Sequence, residues 1–393
     1  MSAKIIFLGP LPPPYMGPSV ATGIILRSAL KNKFRLVHLD TSDHRDLSTL
    51  GAVDFGNIYL AIKHYCQLLW LILRHWPRIV YIPISQTTIG YLRDSGFILL
   101  AKIFRRKVVC HLRGGNFRNW YNGASAFMRW YVRRVHRLVD AQIVLGEKLR
   151  PLFYGILEQD RIHVVPNGRD FDGLTASRDG NDVYRRLRVL YLSNFVRTKG
   201  VLEVMQAIPL VRRDYADVEF LFAGDWNDDA VRLEMEQLLS RYRDHPVRLV
   251  GKVSGKAKYD LLNEADMFVF PTYYPPEGHP WAVVEALAAG LPVISTDQGA
   301  ITESVIDGRN GFIVEKRNPY SVAEKILVLC KNRELRQRMG AESRRLYEQE
   351  FTERRLVDRM SAVFDVLLHA GKRRDGRNAT KVGDPQPPPG DRQ

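Results

Sequence analysis

Cysteine is scarce. Cys66, Cys110 and Cys330 are odd in number and far apart, which leaves no disulfide framework and no metal-ligand spacing. A reducing cytoplasm is the expected compartment. Long hydrophobic runs are also missing. The most apolar window, Ile58 to Trp76, is broken by Lys63, His64, Gln67, Arg74 and His75, so a membrane-spanning helix is not expected. The stretch from Met1 to Gly9 carries a single lysine and a short apolar run, which reads as a buried first strand rather than a signal peptide. Acidic residues are under-represented, with 43 Asp and Glu against 58 Lys and Arg, giving a net charge of +15. That balance favours phosphates, nucleic acid or acidic lipid as partners. The excess is local: residues 101–150 hold 12 Lys and Arg against Asp140 and Glu147, so +10 of the +15 lies there.

The rest of the composition is that of a globular protein, 45% apolar and 26% charged, and 393 residues can bury two cores. Short apolar runs alternate with helix-like segments. Ile5–Leu8, Arg35–Leu39, Ile79–Ile82, Lys107–His111, Ala141–Leu145 and Ile162–Val165 read as buried parallel strands. Ser19–Leu30, Ile58–His75, Tyr91–Phe104 and Ala126–Val139 read as the helices between them. A second series follows at Arg188–Leu192, Glu219–Ala223, Arg248–Val250, Met267–Phe270 and Pro292–Ser295. The expected fold is therefore α/β, with two doubly wound Rossmann-like domains facing across a cleft. The expected boundaries are a first domain at 1–168, a polar linker at 169–186 and a second domain at 187–350. A C-terminal helix at 351–370 packs back toward the first domain, and a disordered basic, proline-rich tail covers 371–393.

The stretch from Glu277 to Glu285 carries the strongest chemical signal. Its two carboxylates stand eight residues apart, a little over two helical turns, so they can share one face. Pro280 is pre-set for a helix start, and Gly290 with Pro292 stops the helix. Free N–H groups at such a helix mouth attract phosphate. Two carboxylates beside a phosphate site suit a ligand bearing both phosphate and hydroxyls, such as a nucleotide sugar. Val189 to Gly200 adds a strand, a polar loop and Lys199-Gly200 before a helix, which places a cation within reach of a diphosphate. A solvated basic loop is the rival reading of that segment.

Taken together, Ser193–Gly200, Ala265–Thr272, Glu277–Glu285, Ala289–Val293 and Ile306–Ile313 resemble family 4 of the retaining glycosyltransferases, of GT-B fold. The match covers most of residues 188–320. The loops Gly9–Gly17 and His111–Phe117 are similar in style to enzymes that build bacterial capsule, exopolysaccharide or lipopolysaccharide. The resemblance implies that Glu285 binds ribose hydroxyls, that Glu277 contacts the donor sugar and that Lys199 holds the diphosphate. It implies that the N–H groups around His279, Pro280 and Trp281 face sugar and phosphate, and that Gly17 approaches the diphosphate. The position of the family's usual arginine is Asn194; either Arg197 substitutes for that cation, or phosphate neutralisation is weaker here. In the first domain the family's usual histidine is replaced by Arg113, with His111 two residues earlier. Either His111 is the active-site group, or Arg113 holds a phosphate while His111 is a satisfied histidine at a strand end.

Asp170-Phe-Asp172 has the spacing of a metal-binding acidic pair but follows what resembles the family's interdomain crossing, so no metal and no cofactor is expected. Lys199, arginines and a helix N-terminus would offset the diphosphate charge instead. The helical run Arg129–Arg137 mixes cations with Trp130 and Tyr131 and suits an anionic membrane surface on the inner face of the cell membrane, or a solvated helix face. Nucleic acid is not expected. The implied reaction moves a sugar from a nucleoside diphosphate to a hydroxyl of a glycan or lipid-linked acceptor. A nucleotide-sugar epimerase and a non-catalytic subunit of the same fold are the alternatives.

Overall fold

The computed structural model describes residues 2–13, 17–42, 55–175, 185–242 and 245–369; most of the expected linker's second half and the whole expected tail lie outside them. Two six-stranded parallel sheets organise the chain. The first consists of β1 (Lys4–Gly9), β2 (Arg35–Asp40), β3 (Ile79–Ile84), β4 (Lys107–Leu112), β5 (Ala141–Val144) and β6 (Ile162–Val164), in the order β2-β1-β3-β4-β5-β6. The second consists of β7 (Leu187–Leu192), β8 (Val218–Ala223), β9 (Val247–Gly251), β10 (Met267–Phe270), β11 (Val293–Ser295) and β12 (Gly311–Ile313), in the order β12-β11-β10-β7-β8-β9. Every apolar run read as a strand is one, within a residue or two. Only the three-residue β12 lies where no strand was expected.

Helices cover both faces of each sheet, which is why the strands are apolar on both sides. Those of the first half are α1 (Gly17–Arg27), α2 (Leu30–Lys33), α3 (Phe55–His75), α4 (Thr88–Ile103), α5 (Phe117–Gly123) and α6 (Ala126–His136). Those of the second are α7 (Val201–Asp214), α8 (Asp229–Arg241), α9 (Gly255–Glu264), α10 (Trp281–Ala288), α11 (Pro319–Lys331) and α12 (Arg333–Glu350), followed by α13 (Glu353–His369). Alternation along β1 shows the layering. Ile6 and Leu8 face the core under α3, α4 and α6, whereas Ile5 and Phe7 face the one under α1.

That second layer is completed from the far end of the sequence. Leu356, Val357, Met360, Val363, Phe364 and Leu367 form one stripe of α13 and pack against Ile5, Phe7 and Val109. Phe364 meets Phe34 edge to face at 5.5 Å. The chain therefore crosses between the domains twice, and the crossings are bonded together. Arg169 N–H donates to Phe351 O (2.9 Å), Tyr347 OH donates to Arg169 O (2.9 Å), and Glu353 N–H donates to Asp170 Oδ1 (3.1 Å). Asp170, one half of the acidic pair, is thus engaged at the start of α13.

Candidate functional site

In the second sheet the winding reverses between β7 and β10, and the loops leaving those two strands run side by side. Tyr273 N–H donates to Thr198 O (2.8 Å) and Thr272 Oγ1 donates to the same oxygen (3.3 Å). Lys199 ends a short helical turn after β7. Gly200 follows with φ of +80°, where a Cβ would lie 2.4 Å from Pro271 O, so glycine alone fits. This geometry brings Lys199 Nζ to 2.5 Å from Glu277 Oε2. The ammonium also sits 4.4 Å from the centre of the Tyr274 ring. Glu277 is buried, and Thr272 Oγ1 also lies 3.4 Å from its Oε2.

Helix α10 starts directly after Pro280. Glu285 is buried on it, and its Oε1 lies 2.5 Å from Lys258 Nζ on α9. Two buried carboxylates, each neutralised by one lysine, therefore flank the start of α10. Buried charges persist when paired in this way. Lys258 has no counterpart in the sequence reading. Nothing in Ser254-Gly-Lys-Ala-Lys marks it; only the packing of α9 against the sheet brings it to Glu285.

The other predicted residues divide. Arg197 turns to Glu234 on α8 (2.6 Å) rather than to Glu277. Asn194 is exposed, and its carbonyl accepts from Val196 N–H (3.0 Å). Gly17 opens α1 in free space, and residues 14–16 of its loop lie outside the described residues. Trp281 packs against the cores of both domains.

The first domain reaches this site through the loop after β4. Gly115 N–H donates to Pro276 O (3.0 Å), and a Cβ on Gly115 would lie 2.2 Å from Glu277 O. His111 and Arg113 do point to one side, because both meet Tyr81 OH. His111 Nδ1 lies 2.7 Å from it and Arg113 donates to it at 3.1 Å. His111 is wholly buried. Burial, reinforced by the Arg113 charge, holds its imidazole neutral, well below the usual range. Tyr81 OH accepts from Arg113 and is hydrogen-bonded to His111 Nδ1, while His111 Nε2 is buried with no hydrogen-bond partner among the described residues. Half-buried Arg113 also donates to Asn167 Oδ1 (3.3 Å).

Asn167 continues the chain of bonds into the second domain. Its N–H donates to His279 Nδ1 (3.1 Å) and its side-chain amide donates to His279 O (2.7 Å). A backbone N–H can only donate, so Nδ1 is unprotonated and Nε2–H donates to Ser304 Oγ (2.6 Å). Burial lowers the His279 pKa to about 3, with Arg359 adding to the effect. A second bridge comes from Glu303, whose carboxylate accepts from the N–H groups of Glu147 (2.9 Å) and Lys148 (2.8 Å). Asn167 and Glu303 escaped sequence reading because each is an ordinary loop residue until the domains meet.

Two Rossmann-like domains with a site at the switch point of the second define the GT-B architecture. The crystal structure of Anabaena Alr3699/HepE in complex with UDP shares it, with a TM-score of 0.72 at 17% identity, covering 92% of this chain and 99% of that one. So does sucrose-phosphate synthase (tll1590) from Thermosynechococcus elongatus, with a TM-score of 0.72 at 16% identity over 94% and 100%. Within this fold, residues 178–346 match the family model of glycosyl transferases group 1. Curated relatives include the capsular polysaccharide biosynthesis glycosyltransferase CapM of Staphylococcus aureus, 28% identical over 59% of each chain. Another is the phosphatidyl-myo-inositol mannosyltransferase of Mycobacterium leprae (strain TN), 27% identical over 55% of this chain and 58% of that one. The chain thus spans less than two thirds of the length of these curated relatives.

Proposed function

We propose that this protein transfers a sugar, with retained anomeric configuration, from a nucleoside diphosphate to a hydroxyl of a glycan or lipid-linked acceptor in bacterial surface polysaccharide synthesis. The observation that carries the reading is the pair of buried lysine–carboxylate contacts flanking the start of α10, Lys199 with Glu277 and Lys258 with Glu285. The match of residues 178–346 to the family model of glycosyl transferases group 1 supports it, as does the UDP held by the HepE structure.

In this reading Glu285 exchanges its lysine for the ribose hydroxyls, and Lys199 exchanges Glu277 for the diphosphate. Glu277 then faces the donor sugar. The acceptor oxygen bonds to the anomeric carbon on the face that the phosphate oxygen leaves, and that oxygen takes the acceptor proton. The protein contributes position and electrostatic stabilisation rather than a covalent nucleophile. The loop after β4 closes the site against water. No metal or cofactor is required by this scheme.

The test is a panel of labelled nucleotide sugars incubated with the purified protein and membrane extract. Transfer of label to a glycan or lipid fraction is the expected result. Folded protein that gives neither transfer nor donor hydrolysis overturns the proposal. Glu285→Ala is expected to abolish the thermal stabilisation given by the cognate nucleoside diphosphate, because only ligands bound to the native state raise its melting temperature.

A further inference from the structure

Among the described residues, 18 large apolar side chains are exposed, and 13 of them fall between Ile58 and Leu138. They concentrate on three neighbouring helices of the first domain. Helix α3 is apolar on two sides. Leu68, Leu71 and Ile72 enter the core, while Tyr59, Ile62, Trp70 and Leu73 form an outward stripe at helical spacing. Trp70 is 60% exposed and Tyr59 67%. Helix α4 lies against α3, with Tyr65 OH donating to Arg93 O (2.8 Å), and shows Leu92, Leu99 and Ile103 to solvent. Helix α6 lies against α4, where the hydroxyls of Ser95 and Tyr131 meet at 2.8 Å. It presents Phe127, 71% exposed, stacked on Trp130 at 5.7 Å. Folding leaves these side chains in water at a cost that a partner surface removes.

Charge selects the partner. The sequences of α3, α4 and α6 hold a single acid, Asp94, which is buried and accepts from Ser85 N–H at 2.7 Å. Lys63, Arg74, Arg133 and Arg134 on these helices are exposed. Arg134 lies 5.8 Å from the Trp130 ring and Arg106 4.1 Å from the Trp76 ring, the pairing of cation and amphipathic ring found at headgroup depth. No helix among the described residues is long and apolar enough to cross a membrane.

We infer that the α3–α4–α6 face seats the protein on an anionic lipid bilayer, with its aromatic and aliphatic side chains at the acyl boundary and its arginines on the headgroups. A second copy fits poorly, because a self-complementary interface would set this cationic face against itself. Single-stranded nucleic acid also fits poorly, because Ile62, Leu73, Leu92 and Ile103 offer neither a stacking plane nor a hydrogen bond. The seat does not depend on the transfer reaction, whose residues lie elsewhere.

The experiment is co-sedimentation of the full chain with vesicles of phosphatidylglycerol mixed with phosphatidylcholine, and with phosphatidylcholine alone. Binding to the anionic vesicles only, weakened by salt, is expected. The R133E/R134E double variant should bind roughly thirtyfold or more weakly, at about 1 kcal/mol per cation before reversal is counted. W70S/F127S should show a smaller blue shift of tryptophan emission and bind roughly tenfold more weakly. Unchanged melting temperatures keep both variants interpretable, since all four side chains are exposed. Absence of vesicle binding by the wild type, or wild-type binding by both variants, overturns the inference. A lipid-free dimer that these variants dissociate, or a single-stranded DNA complex that they abolish, overturns it likewise if vesicles are not bound.

Discussion

The two domains share layers but not strand order. In the second, the winding reverses between β7 and β10, and the paired residues Lys199 and Glu277 lie in the loops that leave those two strands. In the first, it reverses between β1 and β3, yet the loop that touches Glu277 follows β4, one strand further on. The second domain thus builds its site where the fold itself opens a crevice. The first contributes a loop shaped to its partner. A site dictated by topology leaves a compact motif in sequence, whereas a site dictated by docking scatters its residues.

The largest test of that division is Lys199→Ala. If the second domain carries the leaving-group chemistry, turnover should fall roughly 100- to 1,000-fold, as when one preorganised donor to a developing charge is removed. Steady-state and single-turnover assays with the cognate donor check it, and near-normal turnover would shift the chemistry to the first domain.

Arg113→Ala probes the other side. Its guanidinium ties Tyr81 to Asn167, and Asn167 holds His279 of the second domain. Turnover should fall roughly 10- to 100-fold, the loss of a hydrogen bond to a charged group. Nucleoside diphosphate affinity, measured by calorimetry, should stay unchanged. Weakened nucleotide binding would erase the distinction between the domains.

Acid acts on stability rather than on turnover, and in both halves. His136, in the first domain, has its pKa lowered by burial to about 4, and His279 has its own lowered to about 3. The ordinary value is 6.5 in both cases. Below pH 6.5 the unfolded chain takes up these protons and the folded chain does not. The stability they contribute is therefore full above pH 6.5 and is lost as pH falls toward 4 and 3. Each group supplies at most about 1.4 kcal/mol per pH unit. Thermal melts from pH 7 to 4 should show this decline, and His279→Gln, which keeps a donor and an acceptor, should make it shallower.

Sequence legibility follows the same line. Strands read well because burial on both faces writes continuous apolar runs, and α10 read well because Pro280 and Gly290 punctuate it. Short β12 failed because three residues carry no period. Glu277, Glu285 and Lys199 were legible within a motif. Lys258, Asn167 and Glu303 were not, since the first needs the packing of α9 and the others need the meeting of two domains. Arg197 had the right charge and the right neighbourhood, but Glu234 on α8 claims it.

The placement of α13 also sets an order of assembly. Synthesis delivers the chain from its N-terminus, and domains generally fold as they emerge. Here the face of the first sheet formed by Ile5, Phe7 and Val109 is covered in part by α1 and α2 and completed only by residues 356–367, made after the entire second domain. A nascent first domain therefore waits with part of one apolar layer open while the ribosome translates the second. The two halves are finished together, and a premature stop before residue 356 would strand the first domain as well as shorten the chain.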